Sequence, residues 1–334
     1  MTSSIINEVL KKLKNNSPQK ILIVSGGTGG HIFPAIVFGN ELKKLGHEIF
    51  YMCGSRPLER EIYTVSGIEP NVINLFGSPL GAGSIKKNFG RVLDLIKSFA
   101  KINSYIKILK PDLIILFGGY ISFMPLIISR FKQIPVILHE QNAVAGRVTR
   151  IAEKLGATIL TAWPNCKGIK NFKYVGVPVR EPVKISREEA LKLLNLENFI
   201  KPSQKIIGIT GGSLGSVPLR ELLIKTAEIC KEYEFIFLSS GEIKNDGNKH
   251  FLKSRWDMNT FYSACDVLIC RSGGSTLAEA IKWDIPTITI AWPKSAEHHQ
   301  EYNAQEFIKI FKNGHVFNEN GAPEDLASLI TNLL

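Results

Sequence analysis

KILIVSGGTGG at residues 20–30 and KIIGITGGSLG at residues 205–215 are built alike: a lysine, a run rich in β-branched side chains, then paired glycines ahead of a helical pattern. A short unbroken apolar run is what a parallel strand covered on both faces needs. Glycines just beyond it let the backbone turn tightly and approach a bound group. The repeat predicts two similar nucleotide-fold halves. A length of 334 residues agrees, since one hydrophobic core rarely fills a chain of that size.

Outward from the first copy, strand signals at 21–25, 48–52, 112–117 and 136–139 alternate with helical patterns, the arrangement that gives a parallel sheet with helices on both faces. The pattern restarts after Pro178 and Pro182, where SREEALKLLNL opens a helix with Ser186 and Glu189 at capping-box spacing. Strands at 206–210, 234–239, 267–270 and 287–291 then alternate with helices at 219–231 and 276–282. The expected organisation is α/β throughout: an amphipathic arm at 1–19, a Rossmann-like domain at 20–182 and a second at 183–334. Doubly wound sheets bind ligands outside the carboxyl ends of their strands, so the glycine loops of both domains are expected to open on one cleft.

With 44% apolar and 21% charged residues the chain reads as globular, and its net charge of +11 calls for anionic company: nucleic acid, a membrane surface or a phosphorylated substrate. Cys53, Cys166, Cys230, Cys265 and Cys270 form no CxxC pair and are odd in number, which argues against a disulfide framework or a zinc knuckle and fits a reducing cytosol. MTSSIINEVLKKLKNN lacks the apolar core of a signal peptide. Its Ile5, Ile6, Val9, Leu10 and Leu13 share one helical face, which predicts an arm packed on the domain. The uncharged run 113–129 approaches a membrane span in length, but Gly118, Gly119 and Pro125 divide it into strand, turn and helix.

Four clusters at strand ends carry polar chemistry. GGTGGH at 26–31 offers backbone amides to an anion, and a plain strand-to-helix turn gives no reason for His31, whose imidazole suits proton transfer near neutral pH. HEQNAVAGR at 139–147 follows the strand VIL; His139 and Gln141 read as satisfied loop residues, Glu140 and Asn142 as the stronger candidates. CRSGGSTLAEA at 270–280 presents a helix N-terminus to phosphate, with Glu279 a turn further in, where a carboxylate suits paired ribose hydroxyls. AEHHQEYNA at 296–304 adds Gln300, and VGVPVR adds the fixed charge of Arg180 as a clamp for a diphosphate. Asp-x-Asp, Walker and HExxH motifs are all missing, which weakens metal-bridged phosphate chemistry. No acidic residue ends the second strand, which weakens a nicotinamide oxidoreductase.

In order, GGTGGH, FGGYIS, HEQN, GVPVR, GGSLGS, RSGGSTLAE and HHQEYNA, running from Lys20 to about Ala304, resemble the MurG family of peptidoglycan N-acetylglucosaminyltransferases. The resemblance implies a GT-B fold. It also implies inverting transfer of N-acetylglucosamine from UDP-N-acetylglucosamine to the C4 hydroxyl of lipid I, forming lipid II for the cell wall at the cytoplasmic face of the bacterial inner membrane. By the same resemblance Thr28, Gly29, Gly30 and Asn142 lie near the donor sugar and the acceptor, with Tyr120 and His31 on the acceptor side. Arg180, Ser213, Gly274, Ser275, Thr276, Leu277, Ala278, Glu279 and Gln300 hold the nucleotide sugar, with a backbone contact near Arg255 for the uracil. His31 is the expected general base and Glu140 its rival; no cofactor, metal or nucleic acid is implied. A glycolipid synthase acting on diacylglycerol and a non-catalytic nucleotide-sugar sensor are the alternatives. HEQN and GGYIS favour the peptidoglycan branch, and the presence of His31 with Glu140 favours an enzyme.

An acceptor with a polyprenyl tail stays in the bilayer, so the first domain is expected to dock peripherally on anionic lipid. GSIKKNFGRVL and FMPLIISRFK supply Lys86, Lys87, Phe89, Arg91, Phe123, Leu126, Arg130 and Lys132 for that surface.

Overall fold

The computed structural model describes residues 6–9, 11, 18–73, 85–210, 217–239 and 243–334, with the backbone alone at 85–96, 217 and 239. The chain divides into two compact units, Met1–Val179 and Arg180–Leu334, so Arg180 goes with the second half rather than the first.

The first unit is a seven-stranded parallel sheet of β1 (Lys20–Val24), β2 (Glu48–Cys53), β3 (Asn71–Val72), β4 (Leu113–Leu116), β5 (Val136–Glu140), β6 (Thr158–Thr161) and β7 (Lys173–Tyr174). Its order is β3-β2-β1-β4-β5-β6-β7. Ile21–Val24 pair with Ile49–Met52 on one side and Leu113–Leu116 on the other, which is why KILIV is apolar throughout after its lysine. The helices Gly29–Lys44, Pro57–Val65, Ile85–Leu109, Phe123–Lys132 and Arg147–Lys154 make the crossovers. The run 113–129 resolves into β4, a short 3₁₀ turn at Tyr120–Ser122 and the start of the helix Phe123–Lys132. Among the described residues no helix is long and apolar enough to cross a membrane.

Within the arm, Val9 is fully buried and Glu8 pairs with Lys173 of β7 at 2.6 Å; the rest of the arm lies largely outside the described residues.

The second unit repeats the plan with β8 (Ile206–Thr210), β9 (Glu234–Ser239), β10 (Lys244–Asp246), β11 (Lys249–Lys253), β12 (Val267–Cys270), β13 (Thr287–Ile290) and β14 (Gly314–Phe317), in the order β10-β11-β9-β8-β12-β13-β14. Among the described strands of this unit only β10 runs antiparallel to its neighbour. Ser186 caps the helix Arg187–Leu193, its hydroxyl accepting from the Glu189 amide at 3.1 Å, which is the N-cap half of the expected capping box. In each sheet the strand that precedes the repeated glycines, β1 or β8, sits where the strand order reverses. That is the topological switch point at which such sheets bind ligands, and it gives the sequence repeat its physical meaning.

Two features depart from the expected docking surface. Leu126 is 2% exposed and belongs to the core of the first unit, because it faces the sheet from its helix. Lys86 and Arg91 fall at the start of the 25-residue helix Ile85–Leu109, about 37 Å long at 1.5 Å per residue, while Arg130 and Lys132 fall at the far end of the helix that packs beside it. Both helices run from the carboxyl edge of the sheet to its amino edge, so the two groups of positions fall at opposite ends of their helices. The side chains of Lys86, Lys87, Phe89 and Arg91 lie outside the described residues. Phe123 is half-buried, and Arg130, Phe131 and Lys132 are exposed.

Candidate active site

In the first unit the loops after β1, β4 and β5 bring His31, Gly118, Tyr120 and the HEQN run to the carboxyl edge of the sheet. His31 is the third residue of the helix Gly29–Lys44, whose N-cap Thr28 makes no side-chain cap bond. Its Nδ1 lies 2.7 Å from the Gln141 Oε1. Gly118, beside the imidazole, has φ +78°, a backbone conformation that favours glycine, while a Cβ there would meet the ring only at ordinary contact distance. Among the described residues His31 Nε2 has no protein hydrogen bond.

Glu140 is occupied otherwise. Its Oε1 accepts from the backbone N and Nδ2 of Asn142 at 3.1 and 3.3 Å, and its Oε2 from the Gly146 amide at 3.0 Å and the Thr149 hydroxyl at 2.5 Å. At 4% exposure this carboxylate ties the loop to the start of the helix Arg147–Lys154. A carboxylate holding four donors is poorly placed to take a fifth proton. Gln141, read from sequence with His139 as a satisfied loop residue, is the member of the cluster that bonds His31, and His139 bonds Gln141 in turn.

Sequence reasoning missed Glu59. It is fully buried on the face of the helix Pro57–Val65 that Ile62 and Tyr63 also bury, and that shared face was the available signal. Its Oε1 accepts from the Gly27 amide at 2.8 Å and the Tyr120 hydroxyl at 3.0 Å, which fixes the glycine loop against the GGYIS turn. Tyr120 also carries the Arg56 guanidinium over its ring, 4.8 Å from the centroid. Burial raises the Tyr120 phenol, so its hydroxyl stays a donor.

In the second unit the helix Gly274–Trp283 starts from Gly273 with no side-chain cap, so the amide donors of Gly274, Ser275 and Thr276 end at the carboxyl edge of β12. Leu277 and Ala278 are buried and seat the helix on the sheet. The loop is braced from behind. Asn303, fully buried, donates to the Ser272 carbonyl at 2.9 Å, and buried Arg271 reaches the Ile290 and Ala291 carbonyls and the Glu319 carboxylate. Glu279 Oε2 accepts from the Tyr262 hydroxyl at 2.8 Å. Burial raises the Glu279 carboxyl above the usual range, with the Tyr262 bond and the Arg180 charge opposing that shift, so Arg180 and Glu279 belong to one electrostatic neighbourhood.

The remaining candidates divide. Arg180 donates to the Trp256 carbonyl at 3.1 Å, and Gln300 Oε1 accepts from the Trp292 amide at 2.9 Å, leaving the Gln300 Nε2 as its offer to a ligand. Arg255 directs its guanidinium to the Leu193 carbonyl at 3.4 Å, and the hairpin of β10 and β11 fills the segment before it. Ser213 and its glycine loop lie outside the described residues. Among the described residues no group of three or more His, Cys, Asp or Glu could hold a metal ion.

Residues 21–161 match the glycosyltransferase family 28 N-terminal domain and residues 206–334 the family's C-terminal domain. The chain is 31% identical over 299 residues to the UDP-N-acetylglucosamine--N-acetylmuramyl-(pentapeptide) pyrophosphoryl-undecaprenol N-acetylglucosamine transferase of Elusimicrobium minutum, covering 85% of this chain and 81% of that one. It is 28% identical over 329 residues to the protein of the same name from Protochlamydia amoebophila, covering 92% and 85%. Among solved structures it is similar to the crystal structure of Acinetobacter baumannii MurG, with a TM-score of 0.69 and 23% identity over 95% of this chain and 91% of that one. It is also similar to the spinosyn rhamnosyltransferase SpnG complexed with thymidine diphosphate, with a TM-score of 0.65 and 13% identity over 94% of this chain and 91% of that one. Both likenesses are to the GT-B fold.

Proposed function

The chain belongs to glycosyltransferase family 28, and from that premise we propose that it transfers N-acetylglucosamine from UDP-N-acetylglucosamine to the C4 hydroxyl of lipid I, with inversion, forming lipid II. Two observations support the reading, each made within its own unit. In the first, a histidine has its Nδ1 bonded and, among the described residues, no partner at its Nε2. In the second, a helix N-terminus whose N-cap Gly273 gives no side-chain cap lies beside a carboxylate whose Oε2 is held by Tyr262. As the acceptor oxygen bonds the anomeric carbon, the bond from that carbon to the diphosphate breaks. The hydroxyl proton passes to His31 Nε2, and UDP leaves with the electron pair. The helix at Gly274 and Arg180 balance the diphosphate charge, and Glu279 Oε1 accepts from the ribose hydroxyls. Asn142, Thr28, Gly29 and Gly30 frame the reacting sugars, while Glu140 holds the loop that carries Asn142. Mass spectrometry of the product from UDP-N-acetylglucosamine and a lipid I analogue tests the assignment: a product one N-acetylhexosamine heavier supports it, and transfer to diacylglycerol instead overturns it.

Because those helix amides and Arg180 supply the positive charge that a divalent ion would otherwise bring to the diphosphate, turnover is expected to be unchanged by a chelator. Loss of activity on chelation, with recovery on adding magnesium, would show that this charge is insufficient.

Docking on anionic lipid is proposed at the start of the helix Ile85–Leu109, the end nearer the carboxyl edge where the acceptor must react. At about 1 kcal/mol per Lys or Arg near such a surface, Lys86, Lys87 and Arg91 together give salt-sensitive adsorption. Changing all three to glutamate is expected to abolish sedimentation with anionic vesicles, whereas changing Arg130 and Lys132 is expected to leave most of it. The reverse pattern would move the contact to the other end of the unit.

A further inference from the structure

We propose that His139 and Gln141 are positioning residues that fix the tautomer of His31, so that its neutral ring carries the proton on Nδ1 and presents a lone pair at Nε2. The proposal rests on the reading of His31 as the base and deepens it.

Each step is set by a group of known polarity. His139 Nε2 lies 2.7 Å from the Gly176 carbonyl, so that nitrogen carries a proton and donates. The neutral His139 ring then has its acceptor at Nδ1, which lies 3.1 Å from Gln141 Nε2. Gln141 Nε2 also lies 3.0 Å from the His139 carbonyl. An amide can be reversed in place, but here the reverse would set the Gln141 carbonyl oxygen against the His139 carbonyl, acceptor against acceptor. The NH₂ therefore faces His139, and Oε1 faces His31 Nδ1 at 2.7 Å, which must donate. The base position left over on His31 is Nε2.

The relay is held rigidly. His139 and Gln141 are 1% and 3% exposed, and the His139 ring stacks on Phe117 at 5.5 Å between centroids. The Gln141 carbonyl accepts from the Trp163 indole at 3.1 Å. Burial drives the His139 imidazole down to about 4, with the Gly176 carbonyl opposing and the His31 charge assisting, so this ring stays neutral across the working pH range. With its Nδ1 unprotonated, neutral His139 goes on accepting from the Gln141 NH₂, and His31 donates from Nδ1 whether neutral or charged, so the amide keeps one orientation. A carboxylate in place of Gln141 would also accept from Nδ1, but it would stabilise the imidazolium and hold the transferred proton. A glutamine selects the tautomer without adding charge.

The test has a spectroscopic and a kinetic arm. In protein carrying ¹⁵N-histidine, assigned through the His31→Ala spectrum, the neutral His31 of the wild type is expected to show the Nδ1–H tautomer. An Nε2–H tautomer overturns the relay whatever the activity. Kinetically, Gln141→Ala is expected to lower kcat about tenfold with little change in donor KM and to let the His31 tautomers mix. Gln141→Glu is expected to move the acid limb of the kcat profile to higher pH, because a negative charge at Nδ1 favours imidazolium. An unshifted limb in Gln141→Glu, with the His31 resonances unchanged, also overturns the proposal. If instead the tautomer is as stated but His31→Ala turns over normally, the relay stands and the assignment of the base fails.

Discussion

His31→Ala is expected to lower turnover by about 100-fold or more, the low end of what a positioned general base supplies, while calorimetric titration with UDP gives wild-type affinity. The separation follows from where the two functions reside. His31 sits in the first unit, at the carboxyl edge of β1, and the groups assigned to the nucleotide are all in the second. Removing the imidazole also removes the hydrogen bond to Gln141 Oε1, but the glycine loop keeps its anchor, because the Gly27 amide is held by Glu59 rather than by the histidine. Turnover and nucleotide binding are thus decoupled. Near-normal turnover in the variant would leave Glu140 as the remaining titratable candidate, and Glu140→Gln would then have to be inactive while its loop, with the Asn142, Gly146 and Thr149 bonds, stayed in place. A joint loss of turnover and UDP affinity would instead mean that the substitution had disturbed more than the proton acceptor.

How much of this was legible beforehand depends on what each residue answers to. KILIV and KIIGIT announce buried parallel strands because nothing but continuous apolar side chains fits between two layers of helices, and both appear within a residue of their expected bounds. Asn71–Val72, Lys173–Tyr174 and Lys244–Asp246 gave no such signal. They are two- or three-residue edge strands, partly or wholly exposed, and pairing rather than pattern makes them strands. At the site, glycine loops and a helix-borne glutamate could be placed because they must follow a strand end. The partners of a side chain could not. Whether Glu140 or Gln141 turns toward His31 is set by the alternation of β5 and by the amides of 142 and 146, which lie close only after folding. Glu59 was hidden for the same reason: a carboxylate on a buried helix face becomes intelligible once a loop amide from another crossover is found against it.

Glu279→Ala is expected to weaken UDP binding by about 1.5–3 kcal/mol, the range for a charge-assisted hydrogen-bond pair, or roughly 10–150-fold in Kd. Tyr262 holds Oε2 and so fixes the rotamer, which leaves Oε1 for the ribose hydroxyls that the proposed function assigns to it. Its raised pKa adds a signature that a merely structural glutamate would lack in binding. Ribose hydroxyls are accepted better by the ionised form, so affinity is full above the Glu279 pKa and is lost as pH falls through it. Since burial has moved that pKa up, the loss begins at a higher pH than an ordinary glutamate would give. Stability carries the opposite sign. A carboxyl with a higher pKa folded than unfolded binds its proton more tightly in the native state, so stability falls as pH rises from the unfolded value to the folded one, and at neutral pH the fold bears that cost. Glu279→Gln keeps an oxygen for Tyr262 and removes the charge; it is therefore expected to raise Tm at neutral pH while lowering UDP affinity. Titrations of wild type and both variants across the acid limb decide the matter. Wild-type UDP affinity in Glu279→Ala, or an affinity that does not vary with pH in the wild type, would take the ribose role away from this residue.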